Sequence, residues 1–104
     1  MRPIDTKQLS LFNTRMGMYI CPSSKENVVS FIHGYELGSQ GECKFTEIIK
    51  DHLEKKYRIK YGSLGWPDQL ERLANKRSIK WMEAYLMISF EIINNSFTNE
   101  KMDA

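Results

Sequence analysis

The clearest set of side chains at a chemically useful spacing is acidic. Glu47, Asp51 and Glu54 lie at i, i+4 and i+7. That spacing places three carboxylates on one face of a helix, about two turns long. On an exposed ridge they would be poor acid–base catalysts but good contacts for a cationic partner. The two histidines, His33 and His52, have no second ligand-type residue at metal spacing, and there is neither a Cys-x-x-Cys nor a His-x-x-x-His pair. No metal and no cofactor is therefore expected. His52 falls beside an apolar stripe and reads as a half-buried, satisfied side chain, whereas His33 falls off the stripe and is a candidate partner contact. Serines are present without a Gly-x-Ser-x-Gly elbow, and Gly38-Ser39-Gln40-Gly41 lacks the lysine and the strand of a phosphate loop. Nothing assembles the nucleophile, base and orienter of covalent catalysis. These residues point to a binding protein without enzymatic activity.

Charge of the opposite sign follows directly along the chain. Residues 33–54 sum to −3 and residues 55–81 to +6, with +2 before them and −3 after, for a net charge of +2. Two such blocks suggest two electrostatic faces, which steer partners more than they set the fold. The plainer reading is a solvated surface of local salt bridges. Within the basic block, Lys55, Lys56, Tyr57, Arg58, Lys60 and Tyr61 interleave cations with aromatics, which suits phosphate contact and base stacking. The helices flanking the basic turn at 75–78 could also form a helix-turn-helix. Against that, Ile79-Lys80-Trp81-Met82-Glu83 is too apolar for a groove-reading helix. The pI of about 8.5 is also low for such a domain.

The elements that must position these residues are helical. The 104 residues, 41% hydrophobic and with twelve aromatics, suffice for one domain with a real core and no disulfide framework. Cys21 and Cys43 are expected as reduced thiols. No apolar run approaches the ~20 residues of a membrane span. The N-terminus carries no apolar signal region, so a cytoplasmic protein is expected.

Residues 1–22 show no clean period and read as an irregular segment, with a short helix near 6–12 and a short strand or extended run at Met18–Cys21. Ser23-Ser24-Lys25-Glu26 has the form of a capping box. Val28, Val29, Ile32 and Tyr35 then follow at helical spacing, and Gly38 and Gly41 supply the stop. Gly34, inside that helix, would permit close approach of another helix or a ligand. Phe45, Ile48, Ile49, Leu53 and Tyr57 make the stripe of a second helix over 44–57. Trp66-Pro67-Asp68 opens a third, with Leu70, Leu73 and Ala74 inward. Trp66 reads first as a core residue and second as an aromatic interface anchor. Ser78 would cap a fourth helix over 79–95, so apolar that it should be central; Ile79, Met82, Leu86 and Ile93 share one face, and Trp81, Tyr85, Ile88 and Ile92 the next. Residues 96–104 read as a polar tail. The expectation is a single all-α domain: a bundle of about four helices over 23–95 behind an irregular N-terminal segment.

One resemblance adds to this reading. Met18-Tyr19-Ile20-Cys21-Pro22, Phe31-Ile32-His33-Gly34-Tyr35-Glu36, Gly41-Glu42-Cys43-Lys44-Phe45-Thr46 and Gly65-Trp66-Pro67-Asp68-Gln69-Leu70-Glu71-Arg72-Leu73-Ala74 together resemble the small immunity proteins of bacterial contact-dependent growth inhibition (polymorphic toxin) systems, over about residues 18–82. The resemblance implies a cytoplasmic protein that binds a cognate toxin domain, often a basic nuclease, and covers its active site or substrate surface. The candidate partner contacts are then Glu36, Glu42, Glu47, Asp51 and Glu54, with His33 and Trp66. A small nucleic-acid-binding regulator using residues 55–81 is the alternative, and a homo-oligomer is compatible with either.

Overall fold

A computed structural model describes the backbone of residues 1–103 and the side chains of residues 1–96. It is all-helical, with no strand among the described residues. Five helices form: α1 (Pro3–Thr14), α2 (Lys25–Gly38), α3 (Phe45–Tyr57), α4 (Gly65–Arg77) and α5 (Trp81–Asp103), with a 3-10 turn at Met16–Met18. The expected class holds, and the expected count of four does not.

The added helix is α1, where the sequence suggests an irregular segment with only a short helix near 6–12; the helix runs over Pro3–Thr14. Its buried face is Asp5, Thr6, Leu9, Phe12 and Asn13, a helical i, i+1, i+4, i+7, i+8 set. Three of those five are polar, which hides the apolar period. Each finds its partner only in the folded state. Arg2 grips Asp5 through Nε and Nη2, both at 2.8 Å. Thr6 Oγ1 lies 3.0 Å from Ser96 Oγ. Asn13 donates to Ser89 at 2.6 Å and accepts from the Tyr85 hydroxyl at 2.8 Å. Pro3 suits the first turn, where its missing N–H is no loss. No strand forms over the expected strand or extended run at Met18–Cys21: Met18 ends the 3-10 turn, and Tyr19, just after it, packs edge-on against Phe12 and Phe31.

α2 begins as expected, but the cap is Ser24, whose Oγ accepts from the Asn27 N–H at 3.3 Å. With the cap at Ser24, Asn27 occupies the third helical position instead of Glu26, and its side chain donates to the Pro22 carbonyl at 2.8 Å. Gly34 is exposed, and a Cβ there would meet nothing within 4 Å. No close approach requires it. The stop is made by Gln40 and Gly41, both with positive φ (56° and 84°). α3 ends at Arg58 and α4 at Ser78, each in the left-handed conformation. Ser78 therefore terminates α4 and does not cap α5. The first residue of α4 is Gly65, at φ +77°, a conformation glycine adopts without strain.

α5 packs against α1, α3 and α4, as its apolar character predicts. It buries Trp81, Ala84, Tyr85, Ile88, Ser89, Ile92 and Ile93, while Met82 and Leu86 are half-buried. Its backbone stays helical to Asp103, through most of the expected tail; Ala104 lies outside the described residues. No helix among them is long and apolar enough to cross a membrane.

Candidate functional site on the outer face of α3

α3 buries Phe45, Ile49 and Leu53, which turns Glu47 and Asp51 to solvent. Both are exposed, and neither carboxylate makes a hydrogen bond or ion pair among the described residues. Glu54, the third member of the ridge, is half-buried and accepts the Tyr61 N–H at 2.9 Å. That bond folds the loop after α3 back along the helix. It sets the Tyr61 ring beside the ridge, with Lys50 Nζ 4.2 Å from the ring centroid. Tyr61 remains 47% exposed. The ridge thus has two free carboxylates and an oriented aromatic.

At the other end of the ridge, α2 and α3 enclose a cleft of about 490 Å³ lined by Glu36, Leu37, Cys43, Thr46 and Glu47. Leu37, 82% exposed, gives this rim an apolar contact. Glu42 is exposed in the connecting turn. Glu36 is committed to structure. Its carboxylate accepts the Thr46 N–H at 2.9 Å and the Thr46 hydroxyl at 2.8 Å. It thereby satisfies a first-turn donor of α3, whose own N-cap, Lys44, offers no acceptor side chain. Burial pushes the Cys43 thiol up, away from the reactive thiolate.

His33 and Trp66 form a pair of their own. The Trp66 Nε1–H donates to His33 Nε2 at 3.1 Å, and no hydrogen bond, ion pair or ring contact joins either residue to the α3 acids. His33 is exposed. Trp66 is only 5% exposed and packs near Trp81, so it takes the core role and cannot act as a surface anchor.

Part of the basic block is engaged within the molecule. Arg72 bridges Asp68 at 3.0 Å and donates to the Lys60 carbonyl. Lys56 lies 3.4 Å from Glu91. Glu91 also receives the Tyr57 hydroxyl at 2.6 Å and meets His52 Nε2 at 2.7 Å. His52 is therefore satisfied and half-buried, as its position predicts. Burial pushes the Glu91 carboxyl up, but the hydrogen bonds from Tyr57, His52 and Lys56 outweigh it and hold the group below its ordinary value. Burial and the Glu91 hydrogen bond push Tyr57 up to about 12. The Tyr57 hydroxyl is thus bound to Glu91, and its ring is flanked by Lys56 and Arg77.

Sequence reasoning finds the ridge but not Leu37 or the role of Tyr61. Leu37 falls at the end of a helix whose period says nothing of its exposure, and Tyr61 is placed by a backbone bond to a residue seven positions away. Compared with known proteins, the chain matches no family model, no curated protein and no solved structure.

Proposed function

We propose that this protein is an immunity-type inhibitor that binds a basic toxin domain, a nuclease among the candidates, through the outer face of α3. The observation that carries the reading is the pair of unpartnered carboxylates, Glu47 and Asp51, on a rigid helix. Among the described residues, Asp5, Glu36, Glu54, Asp68, Glu71 and Glu91 are already paired or capping. Leaving two unpaired on one ridge favours a cationic partner, and charge complementarity speeds its capture. Tyr61 and Leu37 flank the acids and supply the apolar contacts that dominate interface energy. Glu42 extends the acidic rim, and His33 stands apart as a peripheral contact. The nucleic-acid regulator is less favoured, because Tyr57, its candidate stacking ring, is held by Glu91, and Lys56 and Arg72 are paired with internal acids.

The test is co-expression with the product of the gene immediately upstream. A one-to-one complex on size exclusion that restores growth, and that is lost on Glu47→Lys with Asp51→Lys, supports the reading. Growth rescue that survives the double reversal would remove α3 as the binding face. No complex and no rescue would remove the inhibitor reading.

A further inference from the structure

The last turns of α3 and α4 bring their cations together in a place the acidic face does not use. Lys56, Tyr57, Leu73, Lys76 and Arg77 line a cleft of about 320 Å³, at the lower end of the size range of small-ligand sites. Arg77 is held over the Tyr57 ring, its Cζ 5.1 Å from the centroid. Tyr57 is in turn fixed by its hydrogen bond to Glu91. The guanidinium is therefore positioned, yet none of its donors meets a carboxylate; its other contact is the Met87 sulfur at 4.0 Å. Lys76 is exposed and has no hydrogen bond or ion pair among the described residues.

Cations at helix C-termini have an ordinary role, balancing the partial negative charge of the helix end. The charge here exceeds that need. Two helix ends supply roughly −0.5 each, and Glu91 supplies one full negative charge, shared with Lys56. Against these stand Lys56, Lys76 and Arg77 in the cleft, with Lys55 and Arg58 exposed on the same end of α3. A surplus positive charge remains, beside a planar donor fork that matches tetrahedral oxyanions.

We propose that the cleft between the C-terminal ends of α3 and α4 binds a phosphate group. Arg77 and Lys76 donate to its oxygens, Lys56 adds charge from the rim, and Leu73 backs the site. Because the Tyr57 ring is flanked by Lys56 and Arg77, the site recognises the phosphate and not an attached base. It shares no residue with the Glu47–Asp51 face, so it stands or falls independently of the inhibitor reading.

The test is an NMR titration of the full chain with inorganic phosphate at constant ionic strength. The expected result is saturable shifts confined to the amides of residues 55–58 and 73–78. Lys76→Gln with Arg77→Gln should weaken binding at least tenfold, while Lys7→Gln on α1, which removes the same kind of charge elsewhere, leaves it unchanged. Shifts spread over the whole surface, or equal weakening by Lys7→Gln, would overturn the site. A second arm separates the sources of phosphate by comparing adenosine monophosphate with a twelve-nucleotide single strand. Comparable affinities assign the site to a free phosphate ester, and an oligonucleotide more than tenfold tighter assigns it to a polynucleotide backbone. Both results support the site if the Lys76/Arg77 double variant abolishes them. Oligonucleotide binding that survives that variant overturns it.

Discussion

Asp5 and Asp51 are the same side chain in opposite surroundings. Asp5 is fully buried and takes two hydrogen bonds from Arg2 and one, at 2.7 Å, from the Tyr35 hydroxyl. Asp51 is exposed and takes none among the described residues. Around Asp5 the acid is part of the fold, since it ties the start of α1 to α2. On α3 the acid contributes nothing visible to packing. The contrast extends to their neighbours: Glu91 and Glu36 are saturated like Asp5, and Glu47 is free like Asp51. Charge alone therefore does not say which acids are available to a partner in this domain. Lack of an internal partner does.

The largest effects should come from the buried side. Ile92→Ala should cost about 2–5 kcal/mol, as buried aliphatic truncations do, while Leu86→Ala, half-buried one turn and a half earlier, should cost roughly half as much or less. Equal costs in denaturant melts would place Leu86 in the core and not at its half-buried edge. Next comes the free side: Glu47→Lys with Asp51→Lys should weaken binding of the proposed cationic partner by about 100-fold, the scale of a few kcal/mol of lost electrostatic complementarity. Its melting should stay within about 0.5 kcal/mol of wild type, as surface changes do. A large stability loss would show that these acids serve the fold after all.

The matched pair gives the sharpest comparison. Asp5→Asn should cost about 1–3 kcal/mol, because it weakens three hydrogen bonds to a buried group, and Asp51→Asn should be nearly neutral. Similar values for the two would abolish the distinction.

The smallest effect is on pH. The Arg2 hydrogen bonds hold the Asp5 carboxyl below its ordinary value, outweighing the opposing effect of burial. A depressed folded pKa stabilises the fold fully above the unfolded value of about 3.9, and the gain is lost as pH falls through the folded value. Stability of the wild type should therefore decline below about pH 4, and Asp5→Asn should decline less steeply. Glu91, also held low, adds to the same acid loss. An acid slope unchanged by Asp5→Asn would assign that loss elsewhere.

Legibility followed the chemistry of each helix's buried face. α3 is readable because Phe45, Ile49 and Leu53 repeat at i, i+4 and i+8 and are apolar, so the acids opposite them could be placed on a ridge. α1 is only partly readable by the same rule, as a short helix near 6–12, because Asp5, Thr6 and Asn13 occupy its inward positions. Hydropathy treats them as surface residues, and it is Arg2 together with partners on α2 and α5 that makes their burial tolerable. Glu36 misleads for a related reason, as does Trp66 in its second reading as an interface anchor, although its first reading as core holds. Nothing local says that a glutamate of α2 will satisfy the first turn of α3, or that an indole beside a loop will face Trp81.

The sequence by itself determined the helical class, the inward stripes of α2, α3 and α4, the central place of α5 and the geometry of the Glu47–Asp51–Glu54 ridge. Those properties depend on side-chain period and cap chemistry within a few residues of one another. Tertiary structure alone decided which acids are free, that α1 belongs to the core, and that the cations ending α3 and α4 share one cleft. Each of those depends on partners as many as 90 residues apart, brought together only when the helices pack.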